Sequence, residues 1–424
     1  MLALFENELR KGTGVPFVLL KHNVIAINES VDQIIIDHII NNTAYDPQCE
    51  GGHEKYLYEL VSMYEHKDKI FSEIIKIFDD LQYKDINSYD WSEDQIIQFI
   101  ALMVKDGRYE KDLFIKRMAG FITAYQCDDG FGIEGLIAVS GLNGIIYVAE
   151  LLGAIILDGK ELGGTSLPFF EAYNDLVGKS VEEIKGILLA TNNDKIKAYL
   201  NYTDTEKQNR PKHKRLTLEE VLAHFGAGGR YPLGGWIMRA SDEEIKKLKE
   251  LFVHTENVKL KYSILCAFDR RKINLNEKFL WQELERTDDL YYKSIIIESL
   301  IPFGNINIKK FIDNYTEDET KLAAFKAFIS LCDEADQHRI KLELLEMNMG
   351  DIHWIGKDIL EYEQLKQRSF YPKVLRILYD KIECTNCRVD IVKAMISANC
   401  IDNNLLEEIK YDCNEEVRKM AKKV

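Results

Sequence analysis

Five side chains that could act in catalysis or bind a metal lie close together in the segment AYDPQCEGGHEKY. They are Asp46, Cys49, Glu50, His53 and Glu54. Such carboxylates and an imidazole could supply a general acid and a general base, so one hypothesis is a hydrolase centred on Asp46, Glu50 and His53. No H-E-x-x-H or similar zinc motif is present. The alternative is an inter-helix turn whose carboxylates cap the next helix, and these residue types favour the cap.

A C-x-x-C motif lies near the C-terminus, with Cys384 and Cys387 in the segment ECTNCR. A structural zinc site needs four ligands in tetrahedral geometry. The nearest other cysteines, Cys400 and Cys413, fall at the ends of two different predicted helices. Buried cysteine otherwise behaves as a small apolar residue. We therefore expect structural thiols, with no bound metal and no cofactor.

The segment DDGFGIEG, residues 128–135, contains the pattern G-x-G-x-x-G. In a dinucleotide-binding fold this pattern follows a strand and opens a helix. Here the preceding residues, DLFIKRMAGFITAYQ, have the apolar spacing of a helix. The glycines therefore indicate a turn between packed helices.

The basic run KQNRPKHKR, residues 207–215, is the one candidate for nucleic-acid binding. Its cationic side chains beyond Lys207 are Arg210, Lys212, Lys214 and Arg215. It has no interleaved aromatic residue for base stacking, and the chain carries a net charge of −15, so nucleic acid is disfavoured as a partner. Residues 28–94 contain sixteen acidic side chains against five lysines, which would suit a basic partner, although an ordinary solvated surface also explains them.

The elements that carry these residues are predicted to be helices. Four pairs have the spacing of a capping box, namely Ser92 with Gln95, Ser180 with Glu183, Thr217 with Glu220, and Ser241 with Glu244. The best strand candidate, FVLL at residues 17–20, is too short to indicate a sheet. The apolar run at residues 135–157 includes Asn143 and Glu150, which favours a buried helix pair over a membrane span.

The chain divides by composition into three regions. Residues 1–200 predict an irregular helical domain, and residues 201–240, rich in polar residues and glycine, predict a linker or hinge. Residues 241–424 contain the repeat described below. The first residues do not have the pattern of a secretory signal, and the 8 cysteines do not form a disulfide framework, so we expect a cytoplasmic protein.

Six segments after residue 240 share one frame with a basic residue or histidine in second position. They are LKYSILCAF, YKSIIIESL, TKLAAFKAF, IHWIGKDIL, CRVDIVKAM and VRKMAKKV. The second positions are Lys261, Lys293, Lys321, His353, Arg388 and Arg418. A recurrence near 31 residues, built from helices, is typical of a stack of helical hairpins.

The last copy, with Asp412 six residues before Arg418, resembles the second-helix signature of HEAT repeats. In that family an aspartate and an arginine tie neighbouring repeats together, so the resemblance implies a tie between Asp412 and Arg418. The other copies lack aspartate at this offset, and three of them have lysine in the basic position. The resemblance implies an α-solenoid of stacked antiparallel helix pairs, HEAT-like or armadillo-like. GTGVPFVLLK and YDPQCEGGHEKYL also resemble the start of a group of bacterial HEAT-like proteins, and that resemblance implies no particular activity.

These patterns together favour an all-α protein with an irregular N-terminal half and a C-terminal solenoid. Stacked repeats form extended concave surfaces, so we expect a non-catalytic scaffold that binds a protein partner. The alternatives are a nucleic-acid-binding protein, since some HEAT-like proteins are DNA glycosylases, and the hydrolase named above.

Overall fold

The chain is all-helical in the part that the structure describes. The computed structural model describes residues 1–50, 52–82, 91–126, 132–163, 168–209, 215–226, 233–273, 275–304 and 317–423. In these ranges the regular elements are helices, with no β-strand, which confirms the all-α class. The segment FVLL, which the sequence analysis judged too short to indicate a sheet, lies in a helix whose first turn contains Pro16, a position that favours helix initiation.

The chain forms two compact units. The first unit comprises residues 1–211, 383–389 and 401–424. The second unit comprises residues 212–382 and 390–400. The last segment of the predicted repeat array, beyond residue 400, thus belongs with the N-terminal half of the sequence.

The helices of the first unit are short and numerous. They are α1 (Leu2–Lys11), α2 (Val15–Lys21), α3 (Glu29–Ile40), α4 (Pro47–Glu50), α5 (Glu54–Met63), α6 (Lys67–Asp80), α7 (Trp91–Lys105), α8 (Lys111–Tyr125), α9 (Ile133–Ser140), α10 (Leu142–Leu157), α11 (Phe169–Ala172), α12 (Asn174–Val177), α13 (Val181–Ala190) and α14 (Asp194–Asn209).

The second unit follows. Its helices are α15 (Leu218–Gly226), α16 (Leu233–Ile237), α17 (Asp242–His254), α18 (Val258–Arg270), α19 (Glu277–Arg286), α20 (Leu290–Leu300), α21 (Asp318–Leu331), α22 (Gln337–Glu346), α23 (Met349–Glu361), α24 (Glu363–Lys366) and α25 (Tyr371–Lys381). Helix α26 (Thr385–Ser397) starts in the first unit and ends in the second, while α27 (Asn403–Ile409) and α28 (Glu415–Ala421) belong to the first.

Three of the four predicted capping boxes are confirmed. Ser180 and Ser241 exchange hydrogen bonds with Glu183 and Glu244 at the starts of α13 and α17. Thr217 and Glu220 do the same at α15.

The fourth predicted box, Ser92 with Gln95, is wrong. Helix α7 already begins at Trp91, and the side chain of Gln95 makes long-range bonds instead. Its amide nitrogen donates to the carbonyl of His38, and its amide oxygen accepts from the backbone N–H of His53.

The apolar run is a packed helix pair, as predicted. Helices α9 and α10 contact each other, and α10 packs along α14. None of the described helices is long and apolar enough to cross a membrane. The close approach of α10 to α14 occurs at Gly153, where a Cβ atom would lie 1.8 Å from the backbone oxygen of Lys195.

In the second unit, helices in successive copies of the repeat frame pack side by side. Helix α18 contacts α16 and α20, α20 contacts α21, and α21 contacts α23. The buried residues here include Ile264, Leu265, Ile296 and Ala327. The apolar positions of the frame therefore face neighbouring helices.

Gly153→Ala should destabilise the first unit by about 1–3 kcal/mol, because the added methyl group forces α10 away from α14. Gly186→Ala is the matched control, since a Cβ atom on that helical glycine meets nothing within 4 Å. The control should be neutral or more stable, because alanine favours helix by up to about 1 kcal/mol. Urea unfolding of both variants measures the two changes, and equal effects would contradict the close contact.

Candidate functional site

Two carboxylates of the predicted Asp46-to-His53 group, those of Asp46 and Glu50, cap helices. The carboxylate of Asp46 accepts the N–H of Cys49 at 3.3 Å, which caps α4. The carboxylate of Glu50 accepts the N–H of Thr385, also at 3.3 Å, which caps α26 instead of the next helix in sequence. Both carboxylates thus complement the positive ends of helices.

His53 is buried, with 5% of its surface exposed. Its buried Nε2 atom has no hydrogen-bond partner among the residues that the structure describes. Burial, together with the positive charge of Arg388, lowers the pKa of His53 to about 4. The imidazole is therefore neutral at pH 7 and shielded from solvent, which makes it a poor general base for an external substrate.

The structural centre of the first unit is the guanidinium of Arg388, which is fully buried. Its Nε donates to the carboxylate of Asp412 at 2.7 Å. Its terminal nitrogen donates to the backbone oxygens of Lys11 at 2.8 Å and Gly12 at 3.3 Å. The N–H of Cys413 also donates to Gly12, at 2.8 Å. One side chain therefore joins the end of α1 to the loop between α27 and α28.

The expected pairing of Asp412 with Arg418 is wrong. Asp412 binds Arg388 instead, and Arg418 pairs with Glu59 of α5. The physical reason is position in the fold, since Arg388 lies in the interior beside the α27–α28 loop while Arg418 reaches α5. The aspartate still connects two consecutive copies of the frame, but through the basic residue of the earlier copy.

A second buried pair of the same kind lies in the second unit. Lys261 donates to the carboxylate of Glu283 at 2.6 Å, and both side chains are buried. The other second-position residues of that unit are less buried, with Lys293 and His353 half-buried and Lys321 exposed. Buried cations in this frame are thus each matched by an acid on the following helix pair.

The predicted basic run is mostly outside the described residues, which do not include Arg210, Lys212 and Lys214. Arg215 is described, is exposed and forms a salt bridge with Glu244.

Three carboxylates near the starts of α5, α7 and α9 form a cluster, of which sequence reasoning had marked only Glu54. Burial and the negative charges of Glu134 and Glu54 raise the pKa of Asp94 to about 7. Burial also raises the pKa of Glu54 and of Glu134. A carboxyl group with a pKa near 7 can exchange a proton at neutral pH. Glu134 lies within the G-x-G-x-x-G segment, but nothing in the local sequence marks Asp94.

The second unit carries a row of aromatic and charged side chains, which we call the acidic–aromatic face. It consists of Tyr262 and Asp269 on α18, Tyr291 and Glu298 on α20, Lys326 on α21, and Trp354 and Asp358 on α23. Lys326 on α21 contacts both α20 and α23, with its Nζ atom 3.0 Å from Glu298 and 2.8 Å from Asp358. These three residues occupy the same position, the seventh, in three copies of the repeat frame.

A cavity of about 330 Å³ adjoins this face between α18, α19 and α20. Its apolar lining includes Phe268, Leu280 and Phe303. The carboxylates of Asp269 and Glu298 also line it, together with Lys272, whose Nζ atom lies 3.4 Å from Asp269. An apolar base with two carboxylates at its edge can accept a long cationic side chain, whose stem is apolar and whose end is charged, if that side chain replaces the exposed Lys272 beside Asp269.

Comparison of the sequence with protein-family models, with curated proteins and with solved structures finds no match.

Asp412→Ala should destabilise the first unit by about 3–5 kcal/mol, because it leaves the guanidinium of Arg388 buried without its counter-charge. Glu59→Ala is the control, since it also removes a carboxylate from an arginine, but Glu59 is 40% exposed. The control should cost less than about 1 kcal/mol. Urea unfolding measures both, and similar losses would mean that Arg388 is solvated.

Asp94→Asn should stabilise the protein at pH 8 by about 2 kcal/mol and have little effect near pH 4. Because the folded-state pKa of Asp94 is raised to about 7, the unfolded chain releases this proton first. Native stability therefore falls as the pH rises from about 4 through 7, and asparagine removes that loss. Unfolding free energies of the native chain and the variant, measured across this pH range, test whether their difference grows as the pH rises. Asp112→Asn, at an exposed position on α8, is the control. A stabilisation that does not change with pH would contradict the cluster.

Proposed function

We propose that the second unit binds a basic segment of a partner protein along the acidic–aromatic face. In this proposal α18, α20, α21 and α23 are the inner helices of a HEAT-like stack, and the face lies on its concave side. The observation that carries the proposal is the recurrence of exposed aromatic side chains on α18, α20 and α23, each of which also carries a carboxylate of the face.

The aromatic members are unusually accessible for their size. Tyr291 and Trp354 are each 63% exposed, and Tyr262 is 37% exposed. Aromatic side chains are enriched where proteins bind each other, because they bury a large area at a small entropic cost. In the proposal these three side chains supply the apolar contacts that a peptide partner needs.

The net charge of the face favours a positively charged partner. Asp269, Glu298 and Asp358 supply three negative charges. Two lysines supply positive charges beside them, Lys326 between Glu298 and Asp358, and Lys272 at 3.4 Å from the carboxylate of Asp269, so the sum remains negative. The Glu298 and Asp358 carboxylates raise the pKa of Lys326 despite its burial, so the lysine remains charged. A net negative row attracts lysine or arginine and speeds association with a basic segment.

The same charges argue against the nucleic-acid alternative, because phosphates are repelled by carboxylates. The hydrolase alternative has one supporting observation in the first unit, the raised pKa of Asp94 beside Glu54 and Glu134. Its proposed imidazole, His53, is buried and neutral at pH 7. We therefore favour peptide binding over both.

A labelled library of arginine- and lysine-rich peptides, measured by fluorescence anisotropy against the full chain, tests the proposal. Binding should weaken as salt increases, because the attraction is electrostatic. Trp354→Ala should weaken it about tenfold, which corresponds to about 1.4 kcal/mol. Asp269→Asn should lower the affinity for arginine-containing peptides more than for other peptides, because this carboxylate lines the adjoining cavity.

Leu345→Ala is the matched control, since Leu345 is 47% exposed on α22 and is not part of the face. It should bind as the native chain does. Three results would each reject the proposal. They are equal binding of acidic peptides, an unchanged affinity of the Trp354 variant, and preferential binding of single-stranded DNA.

A further inference from the structure

The two cysteines of the C-x-x-C motif meet at the start of α26. Cys384 immediately precedes the first helical residue, Thr385, and Cys387 is in the first turn. The backbone N–H of Cys387 donates to the sulfur of Cys384 at 3.4 Å. The two sulfur atoms lie within 4.8 Å of each other. The helix start thus positions a pair of thiols that small movements can join.

The two thiols differ in access. Cys384 is 6% exposed, whereas Cys387 is half-buried. The hydrogen bond with the Cys387 thiol, together with burial, raises the pKa of Cys384. Thiolates react faster than thiols, so the more accessible Cys387 is the group expected to meet an oxidant first.

We propose that Cys384 and Cys387 form a redox-active dithiol that a small-molecule disulfide, such as oxidised glutathione, converts to an intramolecular disulfide. The Cys387 thiolate attacks one glutathione sulfur, which forms a mixed disulfide and releases one glutathione thiolate. The Cys384 thiolate then attacks the Cys387 sulfur, closes the disulfide and releases the second glutathione. The two protein thiols lose two electrons and two protons, and the oxidant leaves as two glutathione thiols.

The position of this dithiol gives the reaction a structural consequence. Arg388, which directly follows Cys387, binds Asp412 and the backbone oxygen of Lys11. Closing a disulfide in the first turn of α26 changes the backbone next to that buried guanidinium. The redox state of the pair is thereby coupled to the contact between α1 and the α27–α28 loop.

Peptide mapping of the full chain after incubation with oxidised glutathione tests the proposal. Trypsin releases Ile382–Arg388, which contains both motif cysteines and no other cysteine. This peptide should become lighter by two hydrogen atoms, and dithiothreitol should restore its mass. In Cys384→Ser the resolving thiol is lost, so the glutathione adduct on Cys387 should be at least tenfold more abundant than in the native chain. Cys400→Ser is the control and should still form the disulfide.

Several results would overturn the proposal. A stable glutathione adduct on Cys387 in the native chain would show that Cys384 does not resolve it. A cross-link from Cys387 to the exposed Cys49, or a peptide that stays reduced, would also reject it. Retention of one zinc ion per chain by a pair that resists oxidation would assign a metal site instead. If circular dichroism shows that Cys384→Ser does not fold, the native peptide map decides alone.

Discussion

The first unit depends on one buried cation. Arg388 lies more than 370 residues from α1 in sequence, yet it donates to the backbone of Lys11 and to the carboxylate of Asp412. An ion pair in the interior contributes little net stability compared with apolar side chains, but loss of one partner is costly. We therefore expect the pair to act through specificity, by favouring the observed arrangement of α1 and the α27–α28 loop over arrangements that leave Arg388 without Asp412. The start of α2 also packs closely against α27, because a Cβ atom on Gly14 would lie 1.7 Å from the backbone oxygen of Glu408.

The repeat frame has two different uses along the chain. Its second position supplies buried cations, Arg388 and Lys261, which bind acids on the following helix pair. Its seventh position supplies the partly exposed row of Glu298, Lys326 and Asp358. The two uses fall on different helices, since α18 and α26 carry the buried cations whereas α20, α21 and α23 carry the seventh-position row. A helical repeat can in this way hold its neighbours and also present a charged surface.

Local signals in the sequence predicted local structure well. The all-α class, three capping boxes and the packed pair α9 and α10 follow from periodicity and from residue types at helix starts. The failures are all long-range. The side chain of Gln95 forms hydrogen bonds with residues about 40 and 57 positions away. Asp412 forms its ion pair with Arg388, although Arg418 is nearer in sequence. The cluster of Asp94, Glu54 and Glu134 depends on how α5, α7 and α9 meet, which no spacing within one helix reveals.

Native-state hydrogen exchange in increasing urea tests most directly whether Arg388 unites the two ends of the chain. If it does, the amides of α1, α2, α27 and α28 should open in one cooperative step, with the same free energy and the same urea dependence. Exchange of α27 and α28 at a distinctly lower free energy, with α1 and α2 still protected, would show that the C-terminal helices are an independent appendage.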